Sequence, residues 1–102
     1  MAYLSLKDIA ELTIYAKKKK LKVGISFFTI EDFNEITSSK INFDFYKIPS
    51  AEFSNSKLVE KAKSTGKLLL LSTGGHTYKQ IKKNIDVYDL ESETVILHCT
   101  SN

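Results

Sequence analysis

Four short apolar runs, each ending in a polar cluster, recur at intervals of about 25 residues, the scale of one strand-plus-helix unit. They are Val23-Gly-Ile-Ser26, Phe43-Asp-Phe-Tyr-Lys47-Ile-Pro-Ser50, Leu68-Leu-Leu-Leu-Ser72-Thr-Gly-Gly75 and Val95-Ile-Leu-His98-Cys-Thr-Ser101. Continuous rather than alternating apolar runs suit parallel strands buried on both faces. In βα-repeat proteins the strands' C-terminal ends and the loops that follow share one face, and functional groups gather there. The pattern therefore predicts that Ser26, Lys47, Ser50, Ser72, His98 and Ser101 converge although they are far apart in the chain.

Between the runs lie helix signals. Ser5 can cap a helix whose apolar positions are Leu6, Ile9, Ala10, Leu12 (or Thr13) and Ala16, with Asp8 in the first turn. A strand is expected over Lys22–Phe28. Thr29 then caps a short helix through Ile36, with Glu31 and Asp32 in its first turn. Thr37-Ser-Ser-Lys40 reads as a loop and Phe43–Ile48 as the second strand, ended by Pro49, which cannot donate to a sheet ladder. Ser54 or Asn55 caps a helix containing Leu58, Val59 and Ala62, and Gly66 stands where a C-terminal glycine belongs. Lys67–Ser72 is the third strand. Thr77 caps a helix with Ile81, Ile85 and Val87, and an acidic loop, Asp89–Glu93, leads to a strand over Thr94–Cys99. The order α-β-α-β-α-β-α-β argues for an α/β fold of about four parallel βα units, with no linker inside residues 1–102.

Composition narrows the function. A chain of 102 residues makes one domain with a modest core. Its charge is +3 and every basic residue is a lysine. Sequence-specific nucleic-acid readers rely on arginine for bidentate base contacts, so its absence argues against that class. Lys17-Lys-Lys-Lys20 closes the first helix, where cations complement the dipole. One cysteine, Cys99, excludes a disulfide framework within the chain. No signal-peptide pattern opens the chain and no apolar stretch approaches the ~20 residues of a membrane span, so a cytoplasmic location is expected.

The polar clusters suggest anion chemistry. A lysine at a strand end, as at Lys47, holds a phosphate or carboxylate as a point charge, and Ser50 adds a hydroxyl. Ser72-Thr-Gly-Gly75 joins a strand to a helix, and its glycines allow close backbone approach before a helix N-terminus. His98 and Cys99 are strand neighbours and face opposite ways, which argues against a cysteine–histidine nucleophile pair. His98 can hydrogen-bond a substrate or fill the strand end. His76 reads as solvated, Glu52 as a candidate polar contact, and Asp44 as belonging to the opposite, structural end of the sheet. No His, Asp and Glu grouping has metal-ligand spacing.

At these residues the chain resembles the N-acylneuraminate (sialic acid) synthase family. Lys47-Ile-Pro-Ser50-Ala-Glu52 resembles the family's K-I-x-S-x-E strand end. Gly66-Lys67 leading into Leu71-Ser-Thr-Gly74 resembles its T-G-K-P-hydrophobic-L-S-T-G strand, and Leu97-His-Cys-Thr-Ser101 its L-H-C-T-S/N strand. The likeness runs from about Leu6 to the last residue. It implies part of an aldolase-type (β/α)8 TIM barrel that condenses phosphoenolpyruvate with an N-acyl amino sugar to a nonulosonic acid. By position it implies that Lys47, Ser50 and Ser72 hold the phosphate and carboxylate of phosphoenolpyruvate, that Ser26 keeps a threonine's hydroxyl, and that Ser101 contacts ligand. Ser26-Phe27-Phe28 departs from the family's T-P-F, and Gly75-His76 from its Met-Ala or Met-Asn.

The same resemblance implies a divalent cation, Mn or Mg, for the full-length family, held by histidines on later strands. It expects this chain to be a central segment of the barrel, inactive alone, without the family's antifreeze-like domain. The rival expectation is a non-catalytic barrel remnant or assembly module whose open sheet edges pair with another chain.

Overall fold

The computed structural model describes residues 4–90 and 93–98. Ser5 starts α1 (Leu6–Lys18) with a reciprocal capping box, its hydroxyl accepting from the Asp8 N–H while the Asp8 carboxylate accepts from the Ser5 N–H. Thr29 caps α2 (Ile30–Ser38) through the Asp32 N–H, and Thr77 caps α4 (Tyr78–Tyr88) with a second box completed by Gln80. The start of α3 (Ser56–Ser64) is set by Asn55, not Ser54, whose side chain accepts from the Leu58 N–H. Gly66 follows at φ 76°, a left-handed position that glycine takes without steric cost.

Strands β1 (Gly24–Ser26), β2 (Phe45–Ile48), β3 (Leu68–Ser72) and β4 (Thr94–Leu97) form one sheet in the order β1-β2-β3-β4, every pair parallel. β1 and β2 are shorter than the expected Lys22–Phe28 and Phe43–Ile48, whereas β3 holds its whole apolar run, Leu68–Leu71. The remainder of each of those two stretches flanks the ladder, as at Phe43 and Phe27, both fully buried. A 3-10 turn, Ser50–Glu52, follows β2 where the sequence offers only Pro49 as a stop.

Register and alternation sort the sheet into two faces. Tyr46, Ile48, Leu69 and Leu71 are buried, packed with Phe33 and Ile36 of α2, Leu58, Val59 and Ala62 of α3, and Tyr88 of α4. Their opposite neighbours are aligned across the strands as Gly24 with Phe45, Ser26 with Lys47, Lys47 with Leu70, and Ser72 with Leu97. They share the other face, which no helix covers among the described residues. Leu68 and Val95 there stay 36% and 39% exposed. Consecutive parallel strands linked by crossovers of one hand put every connecting helix on the same side. Helices thus cover one face, where the continuous runs alone suggest two.

Two side chains settle differently from their periodicity. On α1, Thr13 is buried and Leu12 is 53% exposed, the Thr13 hydroxyl donating to the Ile9 carbonyl at 2.7 Å. On α4, Val87 points outward and Tyr88 fills the core, its hydroxyl donating to the Phe53 carbonyl at 2.6 Å. Burial, with Glu60 nearby, raises the Tyr88 pKa, so this donor keeps its proton. Tyr88→Phe leaves the Phe53 carbonyl without that donor, and urea unfolding at fixed protein concentration should show a loss of about 1–2 kcal/mol.

Asp44 lies at the N-terminal end of the sheet, as its sequence position suggests. Its carboxylate accepts from the Val23 N–H at 2.7 Å, and its own N–H donates to the Val23 carbonyl at 2.7 Å. The Val23 bond, helped by Lys17, Lys22 and Lys67 and opposed by desolvation, lowers the Asp44 pKa below 3.8. A depressed carboxylate stabilises the fold above its unfolded pKa, and that contribution fades as pH falls through the native value. Between pH about 4 and that lower native pKa, wild-type unfolding midpoints should therefore fall more steeply than those of Asp44→Asn.

No helix among the described residues is long and apolar enough to cross a membrane.

Candidate functional site

The open face of the sheet ends in polar groups. Ser26 at the end of β1 is exposed and stands directly across from Lys47, half-buried near the end of β2. Among the described residues Lys47 takes part in no ion pair, and the one found there is Lys17 with Asp44 at 3.9 Å, at the other end of the sheet. Ser72 closes β3, one alternation beyond Leu70, the register partner of Lys47. The residue is 98% buried, and its Oγ has no hydrogen-bond partner among the described residues. A buried hydroxyl is costly to leave without a partner.

Ser50 does a different job from a free hydroxyl. Its Oγ accepts from the Gly74 N–H at 2.9 Å, tying the turn after β2 to the glycine loop after β3. The Gly74 amide, a natural anion donor in such a loop, is thereby engaged by protein, while the Ser50 O–H remains able to donate. Gly75 adopts φ 78°, the left-handed conformation the turn into α4 requires.

The two histidines separate in role. His98 follows β4, exposed, with its Nδ1 2.9 Å from the Thr73 hydroxyl. Thr73 is buried and also reaches the Leu97 carbonyl at 3.4 Å. A carbonyl only accepts, so a Thr73 hydroxyl donating there leaves its oxygen to receive the Nδ1 proton and turns Nε2 outward. The sequence reading passes over Thr73, whose partner lies 25 residues away. His76 is half-buried rather than solvated. Its ring meets Phe53 edge-on at 5.0 Å, Nδ1 donates to the Gly74 carbonyl at 3.1 Å, and Nε2 lies 3.3 Å from the Ser54 hydroxyl. It braces the glycine loop.

Glu52 sits in the 3-10 turn, where its Oε1 accepts from Asn55 Nδ2 at 3.1 Å, on the cap of α3. Ser101 and Cys99 lie outside the described residues. No three His, Cys, Asp or Glu side chains gather to hold a metal ion among the described residues, so the cation that the resemblance implies has no fitting ligand set there.

Consecutive βα units in one parallel sheet, with polar groups at one of its ends, define a βα-repeat protein. The chain belongs to the NeuB family, whose family model matches residues 1–102. It is 28% identical over 102 residues to the N,N'-diacetyllegionaminic acid synthase of Campylobacter jejuni subsp. jejuni serotype O:2, covering 96% of this chain and 30% of that protein. It is 31% identical over 103 residues to an uncharacterized protein of Methanocaldococcus jannaschii, covering 97% of this chain and 29% of that one. The crystal structure of N-acetylneuraminic acid (sialic acid) synthetase from Leptospira borgpetersenii serovar Hardjo-bovis, in complex with citrate, shares the fold. Its TM-score is 0.82 at 23% identity, over 97% of this chain and 34% of that one. The chain thus spans 30% and 29% of the length of the two curated relatives.

Ser50→Ala removes the acceptor of the Gly74 N–H. Exchange of that amide with solvent should quicken about tenfold, while amides in β3 hold their protection.

Proposed function

We propose that this chain is a segment of a sialic-acid-synthase-type (β/α)8 barrel carrying the phosphoenolpyruvate side of its active site. The buried Ser72 hydroxyl, without a partner among the described residues and on the same open face and sheet end as Lys47, supports this most directly. Lys47 supplies a fixed positive charge for the phosphate or carboxylate, and hydroxyls from Ser72 and Ser26 donate to its oxygens. Ser50 holds the glycine loop against the site and keeps its own proton for the ligand. Ser101, by its place in the sequence, adds a hydroxyl beyond β4. His98, oriented through Thr73, is available as a further polar contact.

The full family reaction joins phosphoenolpyruvate to an N-acyl amino-sugar aldehyde and releases phosphate. The ligands that the family uses for its divalent cation belong to later strands, and no step here is routed through that ion. The segment by itself binds phosphoenolpyruvate weakly and does not condense it, and the same reading places it in the cytoplasm.

Calorimetry with phosphoenolpyruvate tests this. Lys47→Ala should weaken binding at least about tenfold, worth ~1.4 kcal/mol, while Lys18→Ala at the far end of α1 leaves it unchanged. Equal heats for wild type and Lys47→Ala would remove the site assignment. Turnover of an N-acyl-mannosamine in the presence of manganese would refute the inactivity of the segment.

A further inference from the structure

We propose that His76 locks the turn after β3 in the orientation that presents a backbone N–H, that of Gly75, to an anion at the sheet end. The inference rests on the phosphoenolpyruvate reading above and adds a positioning residue to it.

Thr73-Gly-Gly-His76 is a four-residue turn, closed by the His76 N–H donating to the Thr73 carbonyl at 3.2 Å. Gly75, third in the turn, has φ 78°, whereas Gly74 stays out of the left-handed region. That is the type II pattern. Type I differs from it chiefly in the direction of the central peptide, here the one joining Gly74 to Gly75. Most sequences choose between the two at the third residue, because only glycine accepts φ near 80° cheaply. With glycine at both central positions the backbone has no such preference, and either direction is open to it. The choice has to come from a side chain.

His76 makes it. Its Nδ1 lies 3.1 Å from the Gly74 carbonyl, the oxygen of that central peptide. A carbonyl only accepts, so Nδ1 carries the ring proton, and Nε2 of the neutral ring accepts from the Ser54 hydroxyl at 3.3 Å. The ring is also seated edge-on against the fully buried Phe53, which meets Tyr88 in the core on the helix side of the sheet. The Gly74 carbonyl is thus drawn toward that side. N–H and C=O of a trans peptide point in opposite directions, so the Gly75 N–H faces away from the ring. Gly75 is exposed, and its N–H has no hydrogen-bond partner among the described residues. Ser50 pins the preceding peptide through the Gly74 N–H. A flip of the central peptide would put a carbonyl oxygen where that donor stands, and an anion gains nothing from an acceptor.

Titration of the isotope-labelled 102-residue chain with phosphoenolpyruvate, read by calorimetry and by amide resonances, tests this. The Gly75 amide resonance of the wild type should move as the ligand saturates, a readout independent of how any variant folds. His76→Leu keeps an apolar contact for Phe53 but has no donor, and should bind about fivefold more weakly. His76→Asn places an amide N–H where Nδ1 stands and should bind within about twofold of wild type. Both variants should retain the exchange protection of the β3 amides. His76→Leu binding as tightly as wild type would overturn the proposal. So would His76→Asn binding as weakly as His76→Leu, or a Gly75 resonance that phosphoenolpyruvate leaves in place while Lys47→Ala weakens binding. Equal binding by wild type and Lys47→Ala would instead remove the ligand reading, and this inference with it.

Discussion

Everything in this molecule hangs on winding consecutive parallel strands in one direction. Each crossover must return the chain over the same face of the sheet, because connections of one hand leave no alternative when neighbouring strands are also sequential. One set of alternate residues, Tyr46, Ile48, Leu69 and Leu71, is thereby committed to the helices and is fully or nearly buried. The other set, with Ser26, Lys47, Leu70 and Ser72, is committed to a face without helices. The period of two does the sorting, and a slip of one residue would exchange core for site.

The two ends of the sheet are built for different purposes. At the N-terminal end, polar groups are consumed by structure. Asp44 clasps Val23, and Lys67 donates to the Phe43 carbonyl at 2.8 Å while lying 5.9 Å from the Tyr46 ring centre. At the C-terminal end, loops are tied to one another, and side chains are left over. Ser50 holds Gly74, His76 holds the Gly74 carbonyl, and Thr73 holds His98, so the loops are shaped by the protein itself. Among the described residues Lys47 takes part in no ion pair and the Ser72 hydroxyl has no hydrogen-bond partner. An unsatisfied group placed by a satisfied framework is how a rigid site differs from an accident of packing.

Membership of the NeuB family gives this division a context, since three ordered motifs fall on the ends of β2, β3 and β4. The motif residues nevertheless divide by physical role. Lys47 and Ser72 face the open side, Ser50 bridges loops, and Glu52 serves the cap of α3 through Asn55. A shared motif thus combines groups left on the open face with groups that hold the loops in place.

The sequence determined the features that local chemistry decides. Ser5, Thr29 and Thr77 start helices because a cap needs only a hydroxyl and an amide three residues on, and Gly66 ends one because left-handed backbone suits glycine. The parallel pairing, and the sheet end that carries Ser26, Lys47 and Ser72, were legible as well, since apolar runs alternating with helices permit few topologies. Tertiary structure decided whatever depends on a distant partner. Thr13 rather than Leu12 faces inward, a choice between neighbours that periodicity leaves open and packing makes. Tyr88 is core because a carbonyl 35 residues away receives its hydroxyl. β1 and β2 stop short of their apolar runs because a ladder extends only as far as its neighbour does. Thr73 and His76 acquire their roles from residues that only folding brings beside them, and no local pattern in the chain carries information about such a meeting.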